Sequence, residues 1–225
     1  MANTSVRTTV PCLNKLDPSK PHTFITPAKR INEGQDVSAF LTSRAYRDLM
    51  TFVLQLNASM FPRYTIDDGS SPSKTQAWEL GSSDVVFSKP IIHLRKLLSS
   101  LDGIIDEVPP DKGPRRFGNV SFRKWFQTVE GRISELLADH LALEVLSFST
   151  ATEFSAKNEL EAYLLGSFGS PQRLDYGTGH ELSFLAFIGS IWKLGGFEST
   201  TSGVEERAIV LGVIEPYVKR VVPSH

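Results

Sequence analysis

One short stretch, residues 173–180, holds the side chains best suited to chemistry. Its sequence is RLDYGTGH, and a helix that is apolar on nearly every side follows it. Backbone N–H groups in the first turn of a helix are unpaired and carry a partial positive charge, so anionic ligands are favoured there. Polar and acidic side chains at this point are those of Asp175, Tyr176, Thr178, His180 and Glu181. The stretch is therefore a candidate cradle for a negatively charged ligand.

The glycine pattern alone leaves a second interpretation open. Leu182 stands where a dinucleotide-binding fingerprint has its third glycine, and no Gly-Lys-Ser/Thr sequence follows, so neither standard phosphate-loop motif is present. Gly177 and Gly179 could equally serve only to make a tight entry into a core helix. Spacing does not decide between a ligand loop and a structural turn.

The helix after this loop must be a central element of the fold. Its apolar residues occupy almost every side, and a helix of that kind is buried. They are Leu182, Phe184, Leu185, Phe187, Ile188, Ile191, Trp192 and Leu194. With Lys193 near its end, the helix is too short and too polar to cross a bilayer. The candidate loop is thus predicted to sit on a fixed support.

Composition excludes several classes of protein. The chain has 225 residues, 40% of them hydrophobic, with a net charge of −1 and scattered basic residues, which argues against a nucleic-acid binder. Cys12 is the only cysteine, so neither an internal disulfide nor a cysteine metal cluster can form. The sequence has no signal-like apolar segment near its start and no membrane-length apolar run. We therefore expect no membrane association and a location in the cytosol or nucleus.

Apolar periodicity predicts an all-α fold. Residues 1–35, rich in proline, read as an extended or partly disordered leader, and residues 36–225 as one helical domain. Helices are expected at 36–56, 90–101, 119–141, 159–165 and 205–222, the last kinked by Pro216. A Ser/Gly/Pro-rich loop at 67–83 carries Trp78 as an anchor or an exposed contact. No segment shows sustained strand alternation.

Familiar hydrolytic constellations are missing from the sequence. His180 and Glu181 lack the second histidine of a zinc-protease helix, and there is no Gly-x-Ser-x-Gly elbow. The five histidines are dispersed along the chain, and structural roles are expected for His93 and His140. A hydrolytic enzyme is therefore not indicated.

Three segments resemble a known family closely. They are RRFGNVSFRKW at 115–125, YLLGSFGSPQRLDYGTGHELSF at 163–184, and the WKLGGF that follows. They resemble the phosphotyrosyl phosphatase activators, which activate protein phosphatase type 2A and are also described as peptidyl-prolyl isomerases. The resemblance runs from about Pro27 to Val218 and suggests a fungal member.

The resemblance implies a helical fold with core, linker and lid parts around a deep groove. It also implies that ATP and Mg²⁺ bind near the Tyr-Gly-Thr-Gly-His-Glu sequence, and that catalytic and scaffold subunits of a type 2A phosphatase are partners. The nucleotide contacts of the family correspond to Arg173, Thr178 and Gly179. These residue types suit that role, because a guanidinium pairs with phosphate oxygens and a glycine lets the backbone approach closely.

Isomerase activity, also implied by the resemblance, needs no nucleophile. Rotation about an X-Pro bond meets a barrier of roughly 20 kcal/mol, which a site can lower by favouring the twisted bond of a proline-containing peptide. Asp175, Tyr176 and His180 are the candidates for lining such a site. A structural role is an equal alternative for each, since Tyr176 could simply bury its ring and satisfy its hydroxyl.

The sequence departs from the family pattern at its end. Family members continue beyond this point with a Gly-Val-Trp-Gly-Leu-Asp-Asp motif that supplies magnesium-binding carboxylates, whereas this sequence stops at His225. We therefore expect the C-terminal part of the fold and the metal ligands to be absent, and nucleotide binding and activation to be weak. Two alternatives follow: a module that holds the phosphatase without activating it, and a structural helical protein whose glycine loop is only a turn.

Overall fold

The computed structural model describes residues 11–65, 73–79, 81–82, 84–113, 119–174, 176–198 and 203–221. Over these residues the fold is all-α, as predicted, apart from one small two-stranded ribbon. In chain order the elements are α1 (Gly34–Leu41), α2 (Arg44–Ser59), β1 (Arg63–Thr65), β2 (Ser73–Gln76), α3 (Lys89–Glu107), α4 (Ser121–His140), α5 (Leu143–Leu146), α6 (Ala156–Gly166), α7 (Thr178–Lys193), α8 (Val204–Ile209), a π-helical turn (Val210–Ile214) and α9 (Glu215–Val221).

The prediction of one continuous helix from Asp36 to Leu56 is wrong, because the chain breaks it into α1 and α2. Ser43 interrupts the pattern: its hydroxyl accepts a hydrogen bond from the Tyr46 amide (3.1 Å) and caps a new helix. Asp36 does not itself cap α1 at the N-cap position. It lies one turn inside, where its carboxylate accepts the amide of Glu33 (3.0 Å).

The serine-rich segment before α3 contains a feature that the sequence did not predict. Strands β1 and β2 pair in antiparallel fashion with an irregular register, and both are too short to show alternation. Trp78, just after β2, is half-buried, and the Arg207 guanidinium lies 4.2 Å from its ring centroid. Trp78 is therefore an anchor rather than a free contact.

Helices α3 and α4 are both confirmed, and α3 is longer than predicted at its C-terminal end. It continues to Glu107, beyond the predicted end at residue 101. The Asn119 side chain accepts the Ser121 amide at 3.0 Å at the start of α4. Arg115 and Arg116, which begin the segment RRFGNVSFRKW, lie outside the described residues.

The hydrophobic core is formed where α7 meets α2 and α6, and where α3 and α4 pack together. Its buried members in α7 include Phe184, Phe187, Ile188 and Ile191, each no more than 2% exposed. Leu182, by contrast, is 39% exposed, so the first turn of α7 emerges from the core. This geometry holds the helix firmly while leaving its start at the surface.

The segment predicted as a leader supplies part of the core. Leu13 and Phe24 are both buried. The Trp192 indole N–H donates to the Leu13 carbonyl (2.8 Å), and the Leu13 amide donates to the Gln55 side chain (2.8 Å). Residues 11–24 are thus tied to α2 and α7 although they form no helix.

The final helical stretch is less regular than predicted. A π-helical turn precedes Pro216, which lies at the start of α9 and lacks the N–H that a continuous helix would need there. Glu205 and Glu206 occupy the first turn of α8, as expected, but both are buried. Ser88 donates to Glu205 (2.7 Å) and the Gln55 amide donates to Glu206 (3.1 Å), which compensates their burial.

A candidate anion-binding loop at the start of helix α7

The first turn of α7 opens to solvent. Gly177 is the N-cap residue with an extended backbone, and it offers no side chain to cap the helix. Thr178 and Gly179 are both exposed. A methyl group added at Gly177 or Gly179 would meet nothing within 4 Å, so space is open beside the backbone. An anion can therefore approach the N-terminal amides directly.

The turn that carries Arg173 is fixed from outside by α4. The Arg123 guanidinium donates to the Pro171 carbonyl (2.9 Å) and the Gln172 carbonyl (3.3 Å). Within the turn, the Leu174 amide donates to the Ser170 carbonyl (2.8 Å), and Leu174 adopts a left-handed backbone with φ of 56°. That conformation is costly for leucine, so the surrounding contacts must hold it. Arg173 is thereby presented at the surface on a defined backbone.

His180 anchors the start of α7 to the end of α6. Its Nδ1 lies 2.7 Å from the Gly166 carbonyl oxygen. Because a carbonyl only accepts, Nδ1 is the donor in this contact. The Tyr176 ring stacks on the imidazole with centroids 5.2 Å apart. Both rings are half-buried and hold the loop in place.

Tyr176 also begins a hydrogen-bond chain into the core. The Tyr217 hydroxyl, whose residue is 1% exposed, donates to the Ser167 carbonyl at 2.6 Å. Since that donation uses the single proton of Tyr217, its oxygen accepts from the Tyr176 hydroxyl at 2.9 Å. Burial raises the pKa of both hydroxyls above the ordinary tyrosine value. The chain ties the loop to α9 and to the end of α6.

Helices α6 and α7 approach closely just below the loop. A methyl group at Gly166 would lie 2.7 Å from the Ser183 hydroxyl oxygen. That hydroxyl donates to the Tyr163 carbonyl at 2.9 Å. Tyr163 lies in the last turn of α6, where carbonyls have no hydrogen-bond partner within the helix. A side chain at position 166 would therefore displace the Ser183 hydroxyl, which in its present position links α6 to α7.

A carboxylate lies at the base of the loop. Within the described part of the chain, Glu181 Oε2 is buried and has no hydrogen-bond partner. Its negative charge contributes, after burial, to the raised pKa of Tyr176. Among the described residues no group of three or more His, Cys, Asp or Glu side chains is arranged to hold a metal ion.

The predicted site residues fall into two groups. Thr178 and Gly179 are exposed on the first turn of α7, and Arg173 is exposed on the turn before it. These residues fit a phosphate-bearing ligand in residue type and accessibility, and their roles stay predictions. Tyr176 and His180 instead point into the structure and make the anchoring contacts described above. Asp175, the third predicted catalytic residue, lies outside the described residues.

Sequence reasoning missed Arg123, Ser167 and Tyr217, which position the loop. Arg123 lies in the quoted segment SFRKW, where a cation amid aromatic residues was the available signal. Ser167 contributes a backbone carbonyl and Tyr217 follows Pro216 in the last helix, so neither carries a motif. None of the described helices, in any part of the fold, is both long enough and apolar enough to cross a membrane.

Comparisons with known proteins identify relatives. Residues 27–222 match the profile of the family described as phosphotyrosyl phosphate activator (PTPA) protein. The chain is 56% identical over 211 residues to serine/threonine-protein phosphatase 2A activator 1 of Aspergillus fumigatus, a match that covers 93% of this chain and 44% of that protein. For the protein of the same name in Emericella nidulans the identity is 57%, covering 93% and 48% of the two chains.

A solved structure agrees with these relatives. The crystal structure of the PP2A phosphatase activator Ypa1 PTPA1 is similar to this chain with a TM-score of 0.68 and 27% identity, covering 95% of this chain and 61% of that one. The chain spans a little less than half the length of the two Aspergillus and Emericella relatives. The resemblance inferred from the motifs is confirmed: the chain belongs to the phosphotyrosyl phosphate activator (PTPA) family.

Proposed function

We propose that the chain acts as an activator and regulatory partner of type 2A serine/threonine phosphatases in the cytosol or nucleus. The observation that carries this proposal is its identity of more than half with two proteins named as phosphatase 2A activators, across 93% of its own length. The partners would be the catalytic and scaffold subunits of the phosphatase. Its surface at the start of α7 is the part we assign to that role.

We assign ATP to the same loop. Thr178 and Gly179 would face the phosphates with their backbone amides, and Arg173 would pair with phosphate oxygens. Support comes from the open space beside Gly179 and from the fixed backbone that Arg123 imposes on the preceding turn. Bound Mg²⁺ would neutralise phosphate charge. The chain's own contribution is to hold and orient the phosphates at a preformed helix end.

The proposal includes peptidyl-prolyl isomerase activity at a groove beside this loop. A site of that kind works by binding the twisted X-Pro bond more tightly than the planar one. Within the described residues, Tyr176 and His180 are the candidates for contacting the peptide. Their hydrogen bonds to Tyr217 and Gly166 would then hold them in fixed positions rather than compete with catalysis.

Two substitutions test the nucleotide assignment. Arg173→Ala and Thr178→Val should each weaken binding of ATP by the chain, measured calorimetrically with and without Mg²⁺. Arg47→Ala serves as the matched control, because Arg47 is exposed on α2 and remote in sequence from the loop. Unchanged nucleotide binding in both loop variants would leave the glycine turn a purely structural feature. That result would not by itself refute the proposed binding of a phosphatase.

The partner is tested separately. The purified chain should retain a type 2A phosphatase catalytic subunit in a pull-down and raise its activity on a phosphopeptide, while catalysing isomerisation of a Ser-Pro peptide. Absence of phosphatase binding would refute the main proposal.

A binding-only module is the second candidate function. The chain spans less than half the length of the two named relatives, so the activity of the whole relatives is a proposal for it, separate from binding. In this case the pull-down would succeed while activation and isomerisation both fail. These two assays therefore separate the candidates without further variants.

A further inference from the structure

A cavity of about 180 Å³ lies between the N-terminal segment, α2, α6 and the second half of α7. It is separate from the loop at the start of α7. Buried apolar walls are contributed by Leu13, Phe24 and Phe52. Its volume exceeds the roughly 150 Å³ of engineered apolar cavities that admit benzene, so a small organic group fits inside. A lined, partly apolar space with a few polar groups is the usual form of a ligand site.

One carboxylate that lines the cavity is already paired with cations. Asp48 and Lys193 both line the cavity and form an ion pair with each other. A second cation, the Arg44 guanidinium, lies 3.8 Å from the same Asp48 carboxylate. Asp48 therefore has two cationic neighbours and is not the carboxylate that would attract a further cation.

A second carboxylate, that of Glu159, also lines the cavity. Glu159 is half-buried and accepts a hydrogen bond from the Ile25 amide at 3.2 Å. Burial, and next the charge of Glu159, raise the pKa of Tyr163 to about 12. Within the described part of the chain, Glu159 makes no ion pair. His22 is the one further titratable group among the lining residues.

A half-buried carboxylate in an apolar space is complemented by one positive charge on an apolar stem. The ring of Phe24 and that of Tyr163 line the same cavity, and aromatic faces attract cations. We propose that this cavity binds an alkylammonium group of about the size of a lysine side chain, with the ammonium beside Glu159 and the stem against the apolar walls. This site is independent of the proposed phosphatase function.

The charge preference is tested first on the unaltered chain. n-Butylammonium chloride, 1-butanol and sodium butyrate have similar stems and different heads, and each is titrated while backbone amide shifts are recorded. We expect saturable shifts at the lining residues of α6 and α7 with butylammonium, about tenfold weaker binding of butanol and none of butyrate. Equal binding of butanol, or any preference for butyrate, would overturn the proposal.

A matched pair of variants locates the charge. Glu159→Gln keeps an acceptor for the Ile25 amide but removes the negative charge, so butylammonium should then bind no better than butanol. Glu161→Gln makes the same change on α6 at a position that does not line the cavity, and binding should be unaffected. Unchanged affinity in Glu159→Gln would refute the site.

Two further measurements complete the test. If Glu159→Gln loses its native amide spectrum, Ala186→Leu, which fills the cavity from α7, must abolish the butylammonium shifts instead. Retained shifts in a folded Ala186→Leu protein would overturn the proposal. An N-acetyl-lysine methylamide probe that binds more tightly than butylammonium would assign the group to a peptide lysine, and the reverse order would assign it to a free amine.

Discussion

Replacing Tyr217 by phenylalanine should destabilise the fold by removing the centre of the hydrogen-bond chain beneath the α7 loop. The substitution deletes one oxygen and leaves the ring stacked on Phe184, where the centroids are 3.7 Å apart. Two hydrogen bonds are lost at once: the donation to the Ser167 carbonyl at 2.6 Å and the acceptance from Tyr176 at 2.9 Å. Packing is otherwise unchanged, so the effect isolates the hydroxyl.

The magnitude follows from where the orphaned groups lie. Ser167 is fully buried, so its carbonyl cannot turn to water, and an unsatisfied buried acceptor costs about 1–3 kcal/mol. The half-buried Tyr176 hydroxyl can recover part of its loss. We expect a decrease of about 2 kcal/mol in the free energy of unfolding for Tyr217→Phe. Tyr176→Phe should cost only about 0.5–1 kcal/mol, because Tyr217 still donates to Ser167.

Urea unfolding at neutral pH, followed by circular dichroism, measures these values. Tyr46→Phe is the matched control, because its half-buried ring packs on Phe40. The double variant should show a coupling energy of about 0.5–1 kcal/mol between the two tyrosines. If Tyr217→Phe costs no more than the control, or the two tyrosine variants are additive, the hydrogen bonds of Tyr217 do not stabilise the fold as we derive.

Three further predictions concern stability. Gly196→Ala should destabilise the protein by about 1–3 kcal/mol in urea unfolding, because the new methyl would lie 2.6 Å from an Ile191 side-chain carbon. Gly103→Ala is the contrasting change: it adds a methyl in open space within α3 and should stabilise the protein by about 0.5–1 kcal/mol. The free energy of unfolding should fall as pH rises above about 10, because unfolded tyrosines titrate near 10 whereas the pKa of folded Tyr163 is raised to about 12. Urea titrations at alkaline pH should show a shallower fall for Tyr163→Phe, which removes this ionisable group. Ser43→Ala should lower the melting temperature through the loss of about 1 kcal/mol of cap energy at α2, and a variant as stable as wild type would contradict the capping role.

Helical periodicity predicted most of the fold because it reports which face of a segment is buried. It predicted α4, α7 and the start of α3 closely, since long apolar stripes leave little ambiguity. It failed between α1 and α2, where the apolar spacing continues across Ser43 while the backbone does not. A helix cap involves only a few residues, so a periodic pattern read over a long window does not detect it.

The N-terminal segment shows a second limit of the same reasoning. Its prolines predict extended chain, yet Leu13 and Phe24 are both buried, and Leu13 is hydrogen-bonded to α2 and α7. Such contacts join residues more than forty positions apart and have no period. Likewise, the burial of Glu205 depends on Ser88, a partner 117 residues away.

The candidate loop illustrates how one stretch divides its residues between support and presentation. The sequence predicts possible catalytic roles for Tyr176 and His180. In the structure Tyr176 hydrogen-bonds to Tyr217, and His180 hydrogen-bonds to the Gly166 carbonyl. Because those inward contacts fix the backbone, Thr178 and Gly179 are held outward on an ordered turn. A ligand of the proposed kind would therefore lose less free energy to ordering of the loop when it binds. It follows that weakening the inward anchors should lower ligand affinity without any change to the outward residues.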